Sequence, residues 1–232
     1  MLPGDWKERA TLMNHLLGIS MLAVALAAMT GGCTATPAGT TGPGPKAATG
    51  TGTATAHADA AAGADAYAEP GRGIAVRKVP GTHVVRDFKR SYLALDAWKL
   101  YPAAGSVGTP LVAVVLDGSN AVTSAEMRVG RSDAAADVQD CQVPPDEAMG
   151  PVDTVEVGGV PFAHVTLGDA AMSHYLSSDS YRAVHGGACY AIDLIISGTR
   201  PDVYDPPRTP PFSKDAATKV LAAALAAVHW QP

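Results

Sequence analysis

Two glycine pairs, Gly158-Gly159 and Gly186-Gly187, each stand between short runs rich in β-branched and aromatic residues. They constrain the fold more than any other feature of the chain, because a two-residue Gly-Gly loop supplies the positive φ angles that a tight hairpin needs. Pairing outward from the first sets Val157 opposite Val160 and Val155 opposite Phe162 on one face, with Glu156 on the other. Pairing outward from the second sets Ala183 opposite Tyr190 and Tyr181 opposite Ile192, and Leu194 and Ile196 extend that apolar face. The reverse face carries Val184, Cys189, Ala191 and Ile195 with Arg182 and Asp193 among them, the pattern of a central strand covered on both sides.

Upstream, "PLVAVVLDG" and "AEMRVG" read as two more strands joined by a turn at Asp117-Gly118-Ser119-Asn120. Residues 83–101 fit either a helix, through Val85, Phe88, Tyr92 and Leu95, or a strand, through "SYLAL". The chain closes on "FSKDAATKVLAAALAAVHW". There Ser213 is the expected N-cap, Asp215 lies in the first turn, and Ala217, Leu221, Ala224 and Val228 form an apolar stripe. Five prolines in residues 201–211 make a rigid connector, or in "PPRTPP" a polyproline ligand. The expected fold class is therefore α+β: an antiparallel β-sheet with packing helices, including the C-terminal one, in a sandwich-like layering.

The N-terminal third has another character. Leu16 to Met29 is an uncharged apolar run of 14 residues. That is short of the ~20 a membrane-spanning helix needs and suits a signal-peptide core. Lys7 and Arg9 precede it, and either Met1 or Met13 serves as the start. Small residues then lead to Cys33, and "TGGC" resembles the lipobox of bacterial lipoproteins, with Thr30 in place of the usual Leu. The resemblance implies lipidation of the Cys33 thiol, cleavage before it, and a membrane-anchored protein. By resemblance to diderm lipoproteins, Thr34 after the cysteine implies the outer membrane, facing the periplasm. From there to Arg72 the chain is mostly Ala, Gly, Thr and Pro, a composition that buries too little to offset ordering. The expected organisation is a signal peptide over 1–32, a lipid-anchored flexible linker over 33–72, and one globular domain over 73–232.

Net charge is −5, with no basic block or aromatic-basic interleaving, so nucleic acid is not an expected partner. No Gly-x-Ser-x-Gly, Ser-x-x-Lys, His-Glu-x-x-His or phosphate-cradling glycine loop is present, and no cofactor or metal is expected. His164 and Asp153 face each other across the first hairpin, as a surface hydrogen bond or a catalytic or metal pair. His174, Asp169 and Asp179 share a polar stretch that reads as an exposed bend or the lining of a site. Tyr175, Tyr181, Tyr190 and Tyr204 stand as sheet residues or as a ligand groove, with Tyr181, Tyr190 and Tyr204 as the candidate binding face. With Cys33 committed to lipid, Cys141 and Cys189 remain. Two cysteines in an oxidising compartment with no Cys-x-x-Cys read as one structural disulfide.

From Cys141 onward, "VEVGGVPF", "GDAAMSHY", "YRAVHGGACYAIDLII", "YDPPRTPPF" and the final helix together resemble a group of bacterial envelope proteins, many of them lipoproteins. The topology is similar by analogy to the PsbP-like sandwich. The resemblance brings no catalytic residues to transfer. The expected function is a non-catalytic binding or interaction domain on an envelope lipoprotein, whose partner is another envelope protein or a small ligand. The alternative is a secreted hydrolase whose active-site groups converge from distant segments.

Overall fold

The computed structural model describes residues 64–90 and 97–232. Cys33, the signal peptide, most of the expected linker and residues 91–96 of the ambiguous stretch lie outside the described residues. In chain order the elements are β1 (Asp65–Ala68), β2 (Ile74–Arg77), β3 (Thr82–Val85), β4 (Thr109–Leu116), β5 (Thr123–Ser132) and α1 (Ala135–Gln139). They continue with β6 (Ala148–Val157), β7 (Val160–Ala171), β8 (His174–His185), β9 (Ala188–Thr199), a 3-10 turn (Pro201–Val203), α2 (Lys214–Ala226) and β10 (Val228–Trp230).

Seven strands form one antiparallel sheet in the order β3-β4-β5-β9-β8-β7-β6. The Gly-Gly hairpins set its register. Val157 pairs with Val160 and Val155 with Phe162 across the first, and Ala183 pairs with Tyr190 and Tyr181 with Ile192 across the second. Strand β9 occupies the centre, and all but its last two residues are buried.

The α+β expectation is overturned. Among the described residues the molecule is mainly β, in two sheets, and its helices are the five residues of α1 and the thirteen of α2. The second sheet, β1-β2-β10, joins the two ends of the described chain. Two of its strands come from sequence that local pattern assigns elsewhere. Tyr67 in β1 is 2% exposed, so folded structure begins ahead of Gly73. "VHW" leaves the last helix to pair with β2, so Val228 joins the core from a strand. Strand pairing between residues more than 150 positions apart leaves no local periodicity to read.

One face of the large sheet carries Val112, Val114, Ala125, Met127, Val129, Ile192, Leu194 and Ile196. It packs against Ala217, Leu221 and Ala224 of α2 and against Ile74, Val76 and Val228 of the small sheet. The Ser213 hydroxyl accepts a hydrogen bond from the Ala216 N–H at 3.2 Å and caps α2.

The reverse face is covered by irregular chain over residues 97–107 and by the segment 133–146, which includes α1, and both are held by buried polar groups. Asp193 accepts from Ser180 Oγ (2.6 Å), Arg182 Nη2 (2.8 Å) and the Leu100 N–H (3.0 Å). Asp137 accepts from Ser106 Oγ (2.6 Å) and the Val107 N–H (2.9 Å). Burial by itself would raise the Asp137 pKa, but these hydrogen bonds, with Ser132, outweigh it and leave the carboxyl below its usual range. A Cβ on Gly130 would overlap the Trp98 carbonyl oxygen, so glycine there lets the segment lie flat on β5. A disulfide between Cys141 and Cys189, Cα atoms 5.5 Å apart, ties the segment to β9. Its sulfurs pack in a buried cluster with Trp98 and Ala191.

Candidate ligand groove

Helix α2 packs over β4, β5 and β9, Trp230 covers β6 and β7 near Val157 and Phe162, and a gap remains between them over Gly168 and Ser177. The sequence dictates this gap. In β8 the alternation places Tyr175, Ser177, Asp179 and Tyr181 toward the helix side. The small Ser177 fills little of the space between α2 and the sheet. Two cavities result, one of about 920 Å³ and one of about 430 Å³. Both are lined by Ser177, Ile196 and Lys214, so they form two chambers of one trough beneath the first turn of α2.

The larger chamber is bounded by Met149, Gly168, Tyr175, Leu176, Ile196 and Phe212. Two of its hydroxyls, on Tyr175 and Thr123, already have partners. Tyr175 OH lies 3.0 Å from Thr123 Oγ1 and 3.3 Å from the Val122 carbonyl oxygen. The Met149 side chain lies over Gly168, where a Cβ would press on its thioether, and half of Met149 remains exposed at the rim.

The smaller chamber is more polar, with Thr166, Asp179, Tyr181 and Thr218 in its wall beside Leu194 and Leu221. His164 Nδ1 lies 2.7 Å from Asp153 Oδ1, as the register across the first hairpin predicts, and its Nε2 lies 3.2 Å from Asp179 Oδ1. The imidazole stacks on the Tyr181 ring at 4.6 Å. Burial, reinforced by the charges of Asp179 and Asp153, pushes the Tyr181 phenol up to about 12.

The structure separates the other candidates. Tyr181 lines the smaller chamber, whereas Tyr190 is buried beneath the small sheet, edge-on to Trp230 at 5.0 Å with its hydroxyl donating to the Arg72 carbonyl oxygen. Tyr204 lies in the Pro-rich link under the Arg208 guanidinium. The tyrosine on the larger chamber is Tyr175. His174 meets Thr199 Oγ1 at 2.9 Å, and neither residue lines the trough. Met149, Gly168, Ser177, Phe212 and Lys214 escaped sequence reading. The alternation of β8 was the one available signal, a small serine, Ser177, between Tyr175 and Asp179.

A third cavity, of about 880 Å³, lies on the reverse face between residues 99–106 and 136–147. Burial and the neighbouring Arg182 guanidinium lower the pKa of Lys99 there. Carboxylates at Asp137, Asp140, Asp146 and Glu147 surround it. Among the described residues no group of three or more His, Cys, Asp or Glu is placed to hold a metal. No helix there is long and apolar enough to cross a membrane.

No family model matches the chain, and no curated protein matches it. Among solved structures it is similar to LpqN, described as involved in cell envelope biogenesis of Mycobacterium tuberculosis. Identity is 11%, the match covers 72% of this chain and 88% of that one, and the TM-score is 0.38. A likeness of that size carries no argument about this chain.

Proposed function

We propose that the protein is a bacterial envelope lipoprotein, anchored through Cys33, whose domain binds an apolar ligand in the trough between α2 and β7–β8 without catalysing a reaction on it. The observation that carries the reading is the trough: mostly carbon-lined walls, with the Tyr175 and Thr123 hydroxyls paired to each other, around about 920 Å³. Ligand sites are concave, mostly apolar and equipped with a few polar groups that fix orientation. Binding is favoured over hydrolysis because, among the described residues, no histidine lines either chamber, leaving Ser177 without a base there of the kind a nucleophile requires. The anchor, the tether and an outer-membrane position facing the periplasm belong to the same reading, on the strength of the apolar run and "TGGC".

The test of binding is a titration with a fluorescent apolar dye. Ser177 stands where the chambers meet, so Ser177→Trp plugs both, and its dye emission should stay near that of dye alone. Equal binding by the wild type and Ser177→Trp would end the proposal for the trough. For the anchor, Cys33→Ser should move the protein from the membrane to the soluble fraction or leave it unprocessed. Unchanged attachment and processing would contradict lipidation.

A further inference from the structure

We infer that the trough's ligand is a single-chain amphiphile with an anionic head, its chain lying in the larger chamber and its head held at Lys214; this rests on the binding role proposed above. The larger chamber asks for an apolar body. The Tyr175 and Thr123 hydroxyls in its wall are paired with each other and with backbone, so a polar ligand group buried beside them would lose water without gaining a partner. Its volume of about 920 Å³ falls in the range of roughly 300–1,000 Å³ that single small molecules occupy.

Charge then selects the head. Lys214 is the cation in the lining of both chambers, stands at their junction, and makes no ion pair among the described residues. The two carboxylates in the linings are otherwise engaged. Asp179 is held by His164 Nε2 at 3.2 Å and by the Thr166 hydroxyl at 3.4 Å. Asp169 has the strand parity of Val165 and Leu167, which pack on the reverse face, and its charge acts on Tyr101 there. An anion placed at Lys214 therefore meets a cation without displacing an existing partner, whereas a cationic head would meet it as a like charge. Carboxylate and phosphate heads share this chemistry.

The experiment holds the tail constant and varies the head. The full chain carrying Cys33→Ser, which has no acyl group of its own there to compete, is titrated with palmitate, hexadecyl phosphate, hexadecanol and hexadecyltrimethylammonium below their micelle concentrations. Both anions should bind more tightly than the alcohol by about fivefold, the scale of a partly exposed charge pair, and the ammonium should bind most weakly. A preference between the two anions names the source of the head, and either preference supports the inference. Lys214→Ala should bring the anions to the level of the alcohol, and Lys214→Glu should invert the order. If Ser177→Trp abolishes all binding while both Lys214 variants keep the wild-type order, the anionic head is wrong and the trough stands. If Ser177→Trp leaves every titration unchanged, the binding role itself fails.

Discussion

Removing the Cys141–Cys189 bridge should cost the molecule a large part of its stability, and the loss can be worked from chain separation. The two cysteines are 48 positions apart. Closing a loop of that length in the unfolded chain removes entropy worth ~4 kcal/mol at room temperature. Typical domains hold only about 5–15 kcal/mol in total. The replacement Cys141→Ala with Cys189→Ala removes the bond without leaving an unpaired thiol, and Trp98, which packs in the same cluster, loses contact in the same direction. With a urea dependence of roughly 2 kcal/mol per molar, the unfolding midpoint should fall by about 2 M. The assay is urea unfolding followed by tryptophan fluorescence, with Trp98 beside the bridge and Trp230 in the aromatic cluster on the other face reporting together. A midpoint shift below about 0.5 M at unchanged slope would refute the reasoning. It would mean that the carboxylate contacts of Asp137 and Asp193 already order this layer by themselves.

Two further predictions concern the core. Tyr181 has a folded pKa raised to about 12, above the unfolded value of about 10. Its contribution is therefore complete below pH ~10 and is lost as pH rises toward ~12, a swing of about 2–3 kcal/mol; the wild type should lose stability relative to Tyr181→Phe across that window, and parallel pH profiles would contradict the assignment. Tyr67→Ala should destabilise the fold by about 3 kcal/mol, since Tyr67 is nearly fully buried, and a change under ~0.5 kcal/mol in denaturant unfolding would show that β1 does not belong to the core.

Much of the large sheet was legible because its hairpins are local. Gly-Gly fixes the turn, the turn fixes the register, and the register fixes which side chains share a face. The helix cap at Ser213 was legible for the same reason. What escaped was built from distant pieces. The pairing of β2 with β10 joins Ile74 to Trp230, and nothing within either strand announces the other. The polar cover of the reverse face was equally hidden, since Leu100 meets Asp193 only after folding. The trough belongs to the same class. It exists because α2 lies off-centre on the sheet, a property of packing, and its walls combine β6, β7, β8, β9 and the start of α2. Asp153 and His164 were paired correctly from the hairpin, while Asp179, from the next strand over, completes their cluster.

The central claim is that an apolar ligand occupies this trough, and the methionine methyls give the most direct measurement. Met149 lines the larger chamber, Met127 lies in the core between α2 and the sheet, and Met172 stands exposed at the β7–β8 turn. In a methyl nuclear magnetic resonance titration of the full chain with palmitate, the Met149 signal should move and saturate, Met127 should move far less, and Ser177→Trp should abolish the Met149 response. A saturating titration that leaves Met149 unmoved would contradict the account.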